Sequence, residues 1–215
     1  MQLLAEGLAA KRGGDFLFHG LTFRLESGEA LVVTGRNGSG KSTLLRVVAG
    51  LLRPEVGSVL FFSESAAEPL PAYEACHYLG HKNGMKAELT VHENLDFWRR
   101  YLGDFQGGHG MEIDEAADAV GLSAITHLPY GYLSAGQQRR FAMARLLIAW
   151  RPVWLLDEPT AALDARADRL FSALVRDHLD KGGIVLAATH QPLGLGAART
   201  MEMKGFDDSA LEAVL

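Results

Sequence analysis

Apolar residues fall along this chain in two kinds of run. The short ones, at residues 30–34, 59–62, 153–156 and 184–188, are apolar at nearly every position and rich in β-branched side chains. Continuous runs of that length predict strands buried on both faces. The longer ones, at residues 43–49, 95–102, 111–120, 137–150 and 164–180, repeat their apolar residues at helical spacing. Alternation of the two predicts an α/β fold with a mainly parallel sheet covered on both faces. The chain start differs. Residues 2–9 and 17–25 read as strands, with turns at 11–15 and 26–29, which makes an N-terminal antiparallel β part.

Punctuation refines this outline. Residues 55–58 read as a turn and 63–75 as a polar connection with a short strand closing at 78–80. From about residue 82 to 150 the pattern is helical. Thr90 and Glu93 form the sequence signature of a capping box ahead of a helix. Leu95, Phe97, Trp98 and Leu102 are expected on the apolar side of that helix, and Phe141, Ala144, Leu147 and Ile148 on that of a later one. This block reads as a helical insert between strands of the core.

Composition narrows the function classes. The chain has 215 residues, enough for one domain carrying a subdomain. Its net charge of −5 and lack of a long basic run give no support for nucleic-acid binding. The single cysteine, Cys76, cannot form an internal disulfide and fits a reducing compartment. The N-terminus lacks the basic start and apolar core of a signal peptide. No apolar run approaches the roughly 18 residues of a membrane span, so work at a membrane would need spans from another chain.

Chemistry concentrates first at Gly35-Arg36-Asn37-Gly38-Ser39-Gly40-Lys41-Ser42, followed by Thr43. This is a complete G-x-x-x-x-G-K-S phosphate loop between a predicted strand and a predicted helix. Its glycines let successive N–H groups turn inward onto phosphate oxygens, and the helix N-terminus adds partial positive charge. Lys41 can reach the β- and γ-phosphates of a nucleoside triphosphate, and the Ser42 hydroxyl can take a place on Mg²⁺. Asp157 and Glu158 stand together at the end of a buried strand. Asp157 suits a place on Mg²⁺, directly or through water, and Glu158 suits the orientation and deprotonation of an attacking water.

Leu133-Ser134-Ala135-Gly136-Gln137 resembles the signature motif of ATP-binding cassette (ABC) ATPases, with alanine at a usual glycine position. Ala162-Leu163-Asp164 resembles that family's D-loop, and His190 its switch histidine. The resemblance implies a P-loop NTPase fold. One domain spans 1–215, with a RecA-like core at about 1–81 and 151–215 and a helical subdomain at about 82–150. It also implies ATP and Mg²⁺ as cofactors and a head-to-tail pair of identical chains. In that pair Ser134, Gly136 and Gln137, with Asp164, face the partner's ATP, while His190 contacts the γ-phosphate. His81 stands where the family's Q-loop carries glutamine, and would bind a metal-bound oxygen or water. For stacking the adenine, Phe16, Phe18 and Arg12 are all candidates.

Leu79-Gly80-His81-Lys82-Asn83-Gly84-Met85-Lys86, Glu93-Asn94-Leu95 and Thr189-His190-Gln191-Pro192-Leu193 are similar to the ATP-binding subunits of cytochrome c maturation haem exporters. So is Leu17-Phe18-His19-Gly20-Leu21-Thr22-Phe23. That similarity implies a peripheral protein on the cytoplasmic face of a bacterial inner membrane, docked on integral membrane subunits of the maturation complex. ATP hydrolysis would drive haem export or release of a haem-loaded chaperone, with no direct haem binding by this chain. Two alternatives stand beside it: an exporter ATPase for a lipid or drug, and a soluble ABC ATPase outside transport. A regulator that binds nucleotide without hydrolysing it fits poorly with the presence of Glu158 and His190.

Overall fold

The computed structural model describes residues 1–161, 163–191, 193–195 and 198–205. Two sheets organise them. The first is antiparallel and holds β1 (Gln2–Arg12), β2 (Asp15–Glu26), β4 (Val56–Phe62) and the short β5 (Leu70–Pro71), in the order β2-β1-β4-β5. The second holds β3 (Ala30–Thr34), β6 (Cys76–Leu79), β7 (Val153–Asp157), β8 (Ile184–Ala188) and β9 (Arg199–Glu202), in the order β6-β7-β8-β3-β9. Every neighbouring pair in the second sheet is parallel. Its strands therefore end on the same edge, where open parallel sheets bind ligands.

Residue parity along β7 shows how the sheet is covered. Val153 and Leu155 join one buried cluster with Leu44, Leu45, Val47 and Val48 of α1 (Lys41–Val48) and with the antiparallel sheet. Trp154 and Leu156 point the other way, into a second cluster. That cluster draws on α2 (Val91–Leu102), α3 (Ile113–Ala119), α4 (Ala135–Leu147) and α5 (Ala165–Asp180). All five residues of β7 and of β8 are buried, as strands covered on both faces require.

The predicted capping box is present. Thr90 Oγ1 accepts from the Glu93 N–H at 3.1 Å, and Glu93 Oε2 accepts from the Thr90 N–H at 2.8 Å. Two expectations change. Residues 56–58 belong to β4 rather than to a turn. Phe97 is about half exposed, because α2 buries Val91, Asn94 and Leu95 instead. Cys76 is buried at the start of β6, where loss of water pushes its thiol pKa up.

Candidate functional site

Four chain segments meet at the carboxyl edge of the parallel sheet. The pairings Val33↔Ala188, Asp157↔Ala188 and Leu79↔Leu156 align the ends of β3, β8, β7 and β6. β3 leads into the phosphate loop. Gly35 there has φ 132°, and a Cβ would overlap the carbonyl oxygen of Met203. Gly40 caps α1 at φ 97°, and a Cβ would come within 3.1 Å of the Phe18 ring. No side chain caps α1, so its first amides keep their donors for an anion. Ser39 Oγ is buried without a hydrogen-bond partner, an unsatisfied atom of the kind a phosphate oxygen completes.

Lys41 is largely buried, and its Nζ donates to the carbonyls of Gly35 at 2.7 Å and Arg36 at 3.0 Å. An ammonium has three donors, so one remains for a ligand. Ser42 Oγ donates to Asp157 Oδ1 at 2.8 Å. Asp157 is only 5 % exposed, and its other oxygen, Oδ2, accepts from Tyr78 Oη at 3.1 Å.

Glu158 follows at φ 45°, a left-handed conformation that costs a non-glycine residue energy and is held by its surroundings. Its N–H donates to the Ala188 carbonyl at 2.8 Å, and its own carbonyl accepts from Arg139 Nη2 at 2.9 Å. His190 Nε2 lies 3.3 Å from Asn37 Oδ1 and 3.8 Å from Glu158 Oε1. Residues of both kinds, phosphate loop and strand-end acid, line one cavity of about 710 Å³ that includes Asn37, Lys41, Ser42, Asp157 and Glu158. Arg12 and Leu17 line it as well. Of the three residues considered for stacking a base, Arg12 is thus at the cavity. Phe18 is buried in the core, and Phe16 carries the Lys11 ammonium 4.4 Å from its ring centroid.

The remaining predicted site residues lie apart from this cavity. Ser134 is exposed at the start of α4, where its hydroxyl accepts from the Gln137 N–H at 3.3 Å. Gln137 Oε1 accepts in return from the Ser134 N–H at 2.9 Å. That leaves the Ser134 O–H free to donate, beside the half-buried Gly136. Asp164 is exposed and caps α5, its Oδ1 accepting from the Ala167 N–H at 2.7 Å. That bond holds its carboxyl below the usual range. Ala162 and Pro192, in the flanking motifs, lie outside the described residues. His81 is exposed in the loop after β6 and is not at the cavity wall. From that strand the side chain that reaches Asp157 is Tyr78.

Two residues at the site escaped the sequence reading. Tyr78 showed only as an aromatic in a short strand. Arg139 is 5 % exposed and donates to the carbonyls of Gly80 at 2.8 Å and Pro159 at 3.0 Å, besides that of Glu158. It also donates to Asn83 Oδ1 at 3.1 Å. Its signal was an arginine followed at helical spacing by Ala142, Met143 and Leu146, which places it on the apolar face. Burial lowers its pKa, and carbonyl oxygens take the place of water around it.

Comparison with known proteins supplies the family. The ABC transporter family profile matches residues 18–161. A cytochrome c biogenesis ATP-binding export protein, CcmA, of Agrobacterium fabrum is 66 % identical, covering 96 % of this chain and 97 % of that one. The protein of that name from Rhizobium johnstonii is 65 % identical, covering 96 % of each. Among solved structures, an ABC transporter ATP-binding protein of Pyrococcus furiosus superposes with a TM-score of 0.78 at 20 % identity, covering 94 % of this chain and 98 % of that one. The last is a likeness of fold. With a nucleotide-sized cavity built on a phosphate loop and relatives this similar over nearly their whole length, the chain belongs to the ABC transporter family, as an ATPase subunit of the cytochrome c biogenesis group.

Proposed function

We propose that the chain hydrolyses MgATP to drive the export step of cytochrome c maturation, whether haem export or release of a haem-loaded chaperone. One observation carries the site-level part of this reading. Lys41, Ser42, Asp157 and Glu158 border a single cavity, whereas Ser134 and Gly136 lie outside it. A site complete in one chain would need no second copy; this one is completed by the signature segment of another.

Each residue then has a task. The amides of residues 35–43 cradle the phosphates, and Lys41 neutralises charge on the β- and γ-phosphates. Ser42 Oγ and Asp157 offer the hard oxygen donors Mg²⁺ prefers. No group of three or more His, Cys, Asp or Glu side chains able to hold a metal occurs among the described residues. A hydroxyl and a carboxylate suffice for Mg²⁺, which takes its other ligands from phosphate and water. Held by Ser42 and Asp157, the ion would supply neutralisation of the negative charge on the β- and γ-phosphates. Glu158 orients the attacking water and accepts its proton, and His190 reaches toward the γ-phosphate. Ser134 O–H and the amides near Gly136 and Gln137 meet the γ-phosphate of the partner's ATP, with Asp164 at the same interface. His81 stands in for glutamine in the loop after β6.

Among the described residues no helix is long and apolar enough to cross a membrane. The export role therefore takes its spans from integral membrane subunits of the maturation complex, with this chain peripheral on the cytoplasmic face of the inner membrane. Exposed Leu51, Tyr73 and Tyr101 around a groove of about 420 Å³ between the turn after α1, β6 and α2 offer an apolar landing surface for such a subunit.

The test is a pull-down from bacterial membranes with the Glu158→Gln protein and ATP. Expected are retained ATP, arrested turnover, a nucleotide-bound dimer and co-purified cytochrome c maturation subunits. Turnover at the wild-type rate would remove Glu158 as base. An unrelated permease in the pull-down would overturn the cytochrome c assignment.

A further inference from the structure

Asp157 has two carboxylate oxygens, and each has its own side-chain anchor. Oδ1 accepts from Ser42 in α1, and Oδ2 accepts from the Tyr78 phenol in β6. A carboxylate on a short side chain rotates readily about its last bond, so two anchors on opposite oxygens fix its plane. The phenol is itself held. Arg46 Nε, in the last turn of α1, approaches its oxygen at 3.5 Å. Arg145 Nη2 donates to the Tyr78 carbonyl at 2.6 Å and fixes the strand beneath the ring. Gly80 leaves the ring its room: a Cβ there would come within 2.7 Å of Cε1 and 3.0 Å of the phenol oxygen.

From this arrangement we infer that Tyr78 is a positioning residue for the divalent-metal site, holding Asp157 so that Oδ1 is presented beside Ser42. It acts through Asp157, and the inference rests on the metal-site reading of Ser42 and Asp157 proposed above. A group that orients a metal ligand by hydrogen bonding typically changes metal affinity on the order of tenfold when removed. Tyr78→Phe is the clean perturbation, because it keeps the ring's packing and deletes only the hydroxyl.

The experiment uses the full chain with Glu158→Gln in the background, so that ATP persists, and Mn²⁺ as the probe. Mn²⁺ affinity of the ATP-loaded protein is read by electron paramagnetic resonance, and metal-free ATP affinity is read separately in chelator. Tyr78→Phe is expected to weaken Mn²⁺ about tenfold and to leave metal-free ATP affinity unchanged. Gly80→Ala, which keeps the hydroxyl but crowds the ring and its oxygen out of place, is expected to weaken Mn²⁺ in the same direction. Asp157→Asn separates the two ideas. If it weakens Mn²⁺ while Tyr78→Phe does not, the role of Tyr78 is overturned and the metal site stands. If Asp157→Asn itself leaves Mn²⁺ affinity intact, the metal-site reading falls and this inference with it. An equal loss of metal-free ATP affinity in Tyr78→Phe would also overturn it, by making the hydroxyl part of the pocket's shape.

Discussion

Arg139→Met removes a buried guanidinium but keeps a stem of similar length against the core. The carbonyls of Gly80, Glu158 and Pro159 and the side chain of Asn83 lose a donor within 3.1 Å. A buried acceptor left without a partner costs about 1–3 kcal/mol. The sum is smaller than four such terms. The Glu158 carbonyl keeps a longer bond from the Ala161 N–H at 3.3 Å, and the cost of holding a guanidinium away from water, the burial that lowers its pKa, is gone. A net loss of about 3 kcal/mol follows, which in a chain of this size lowers Tm by roughly 6–12 °C. The functional loss should be specific. Lys41 and the loop amides make no bond to Arg139, so nucleotide affinity is expected to hold. Turnover is expected to fall by at least tenfold, because the left-handed backbone of Glu158 loses a clamp. Arg139→Lys should recover little of either, since one ammonium cannot span the carbonyls of Gly80, Glu158 and Pro159 as the guanidinium does. Scanning calorimetry with a nucleotide-binding titration and a turnover assay measures all three. A Tm within 2 °C of wild type, with unchanged turnover, would refute the clamp.

Two further outcomes are expected. His81→Gln, in an exposed loop position, should keep more than about half of the ATPase rate; complete loss would give that histidine a role the geometry does not give it. Stability should also fall with acid below neutrality. Burial holds His77 neutral, its pKa lowered to about 3, and likewise His178, lowered to about 4. Unfolded histidine takes up its proton near pH 6.5, so between there and the folded pKa values the unfolded chain binds more protons. The contribution is whole above about pH 6.5 and is lost as pH falls toward 4, by at most about 1.4 kcal/mol per pH unit for each ring. Thermal midpoints across that range should show the slope, and His178→Phe should reduce it by one ring's share. An unaltered slope in that variant would count against His178.

What the sequence disclosed follows from how local each determinant is. The glycine-rich loop between β3 and α1, the capping box at Thr90 and Glu93, the largely buried strand at 30–34 and the fully buried one at 184–188 are specified by neighbouring residues, and all appear in the fold. Residues 56–58 misled because Gly57 has two possible meanings. It looks like a turn, yet it sits in β4 where a Cβ would overlap the Glu6 carbonyl and Gly7 of β1, so it marks a close approach of strands. β9 carries no alternation because, among the described residues, it is an edge strand paired with β3 alone and exposed along most of its length. The partners of Tyr78 and Arg139 were not legible, for the opposite reason to the phosphate loop. Tyr78 meets Asp157 at a separation of 79 residues, and Arg139 meets Gly80 at 59. Only the sheet order brings such partners together.

That sheet order also bears on why the site should be shared between two chains. Ser134 is exposed at the first turn of α4, while Arg139, five residues further along the same helix, is buried against the carbonyl of Glu158. At 1.5 Å per residue the two are about 7.5 Å apart along a single helix, too short a length to bend appreciably. In the head-to-tail arrangement proposed above, Ser134 touches the nucleotide of one site and Glu158 serves the other. A pull on Ser134 then reaches the Glu158 backbone through one rigid element and one buried side chain. The capping box at Ser134 and Gln137 stiffens the turn that would take that pull. In that arrangement coupling between the two sites would need no transmission across the sheet. It would follow from placing the signature hydroxyl and the buried arginine on one helix, on opposite sides of the line between surface and core.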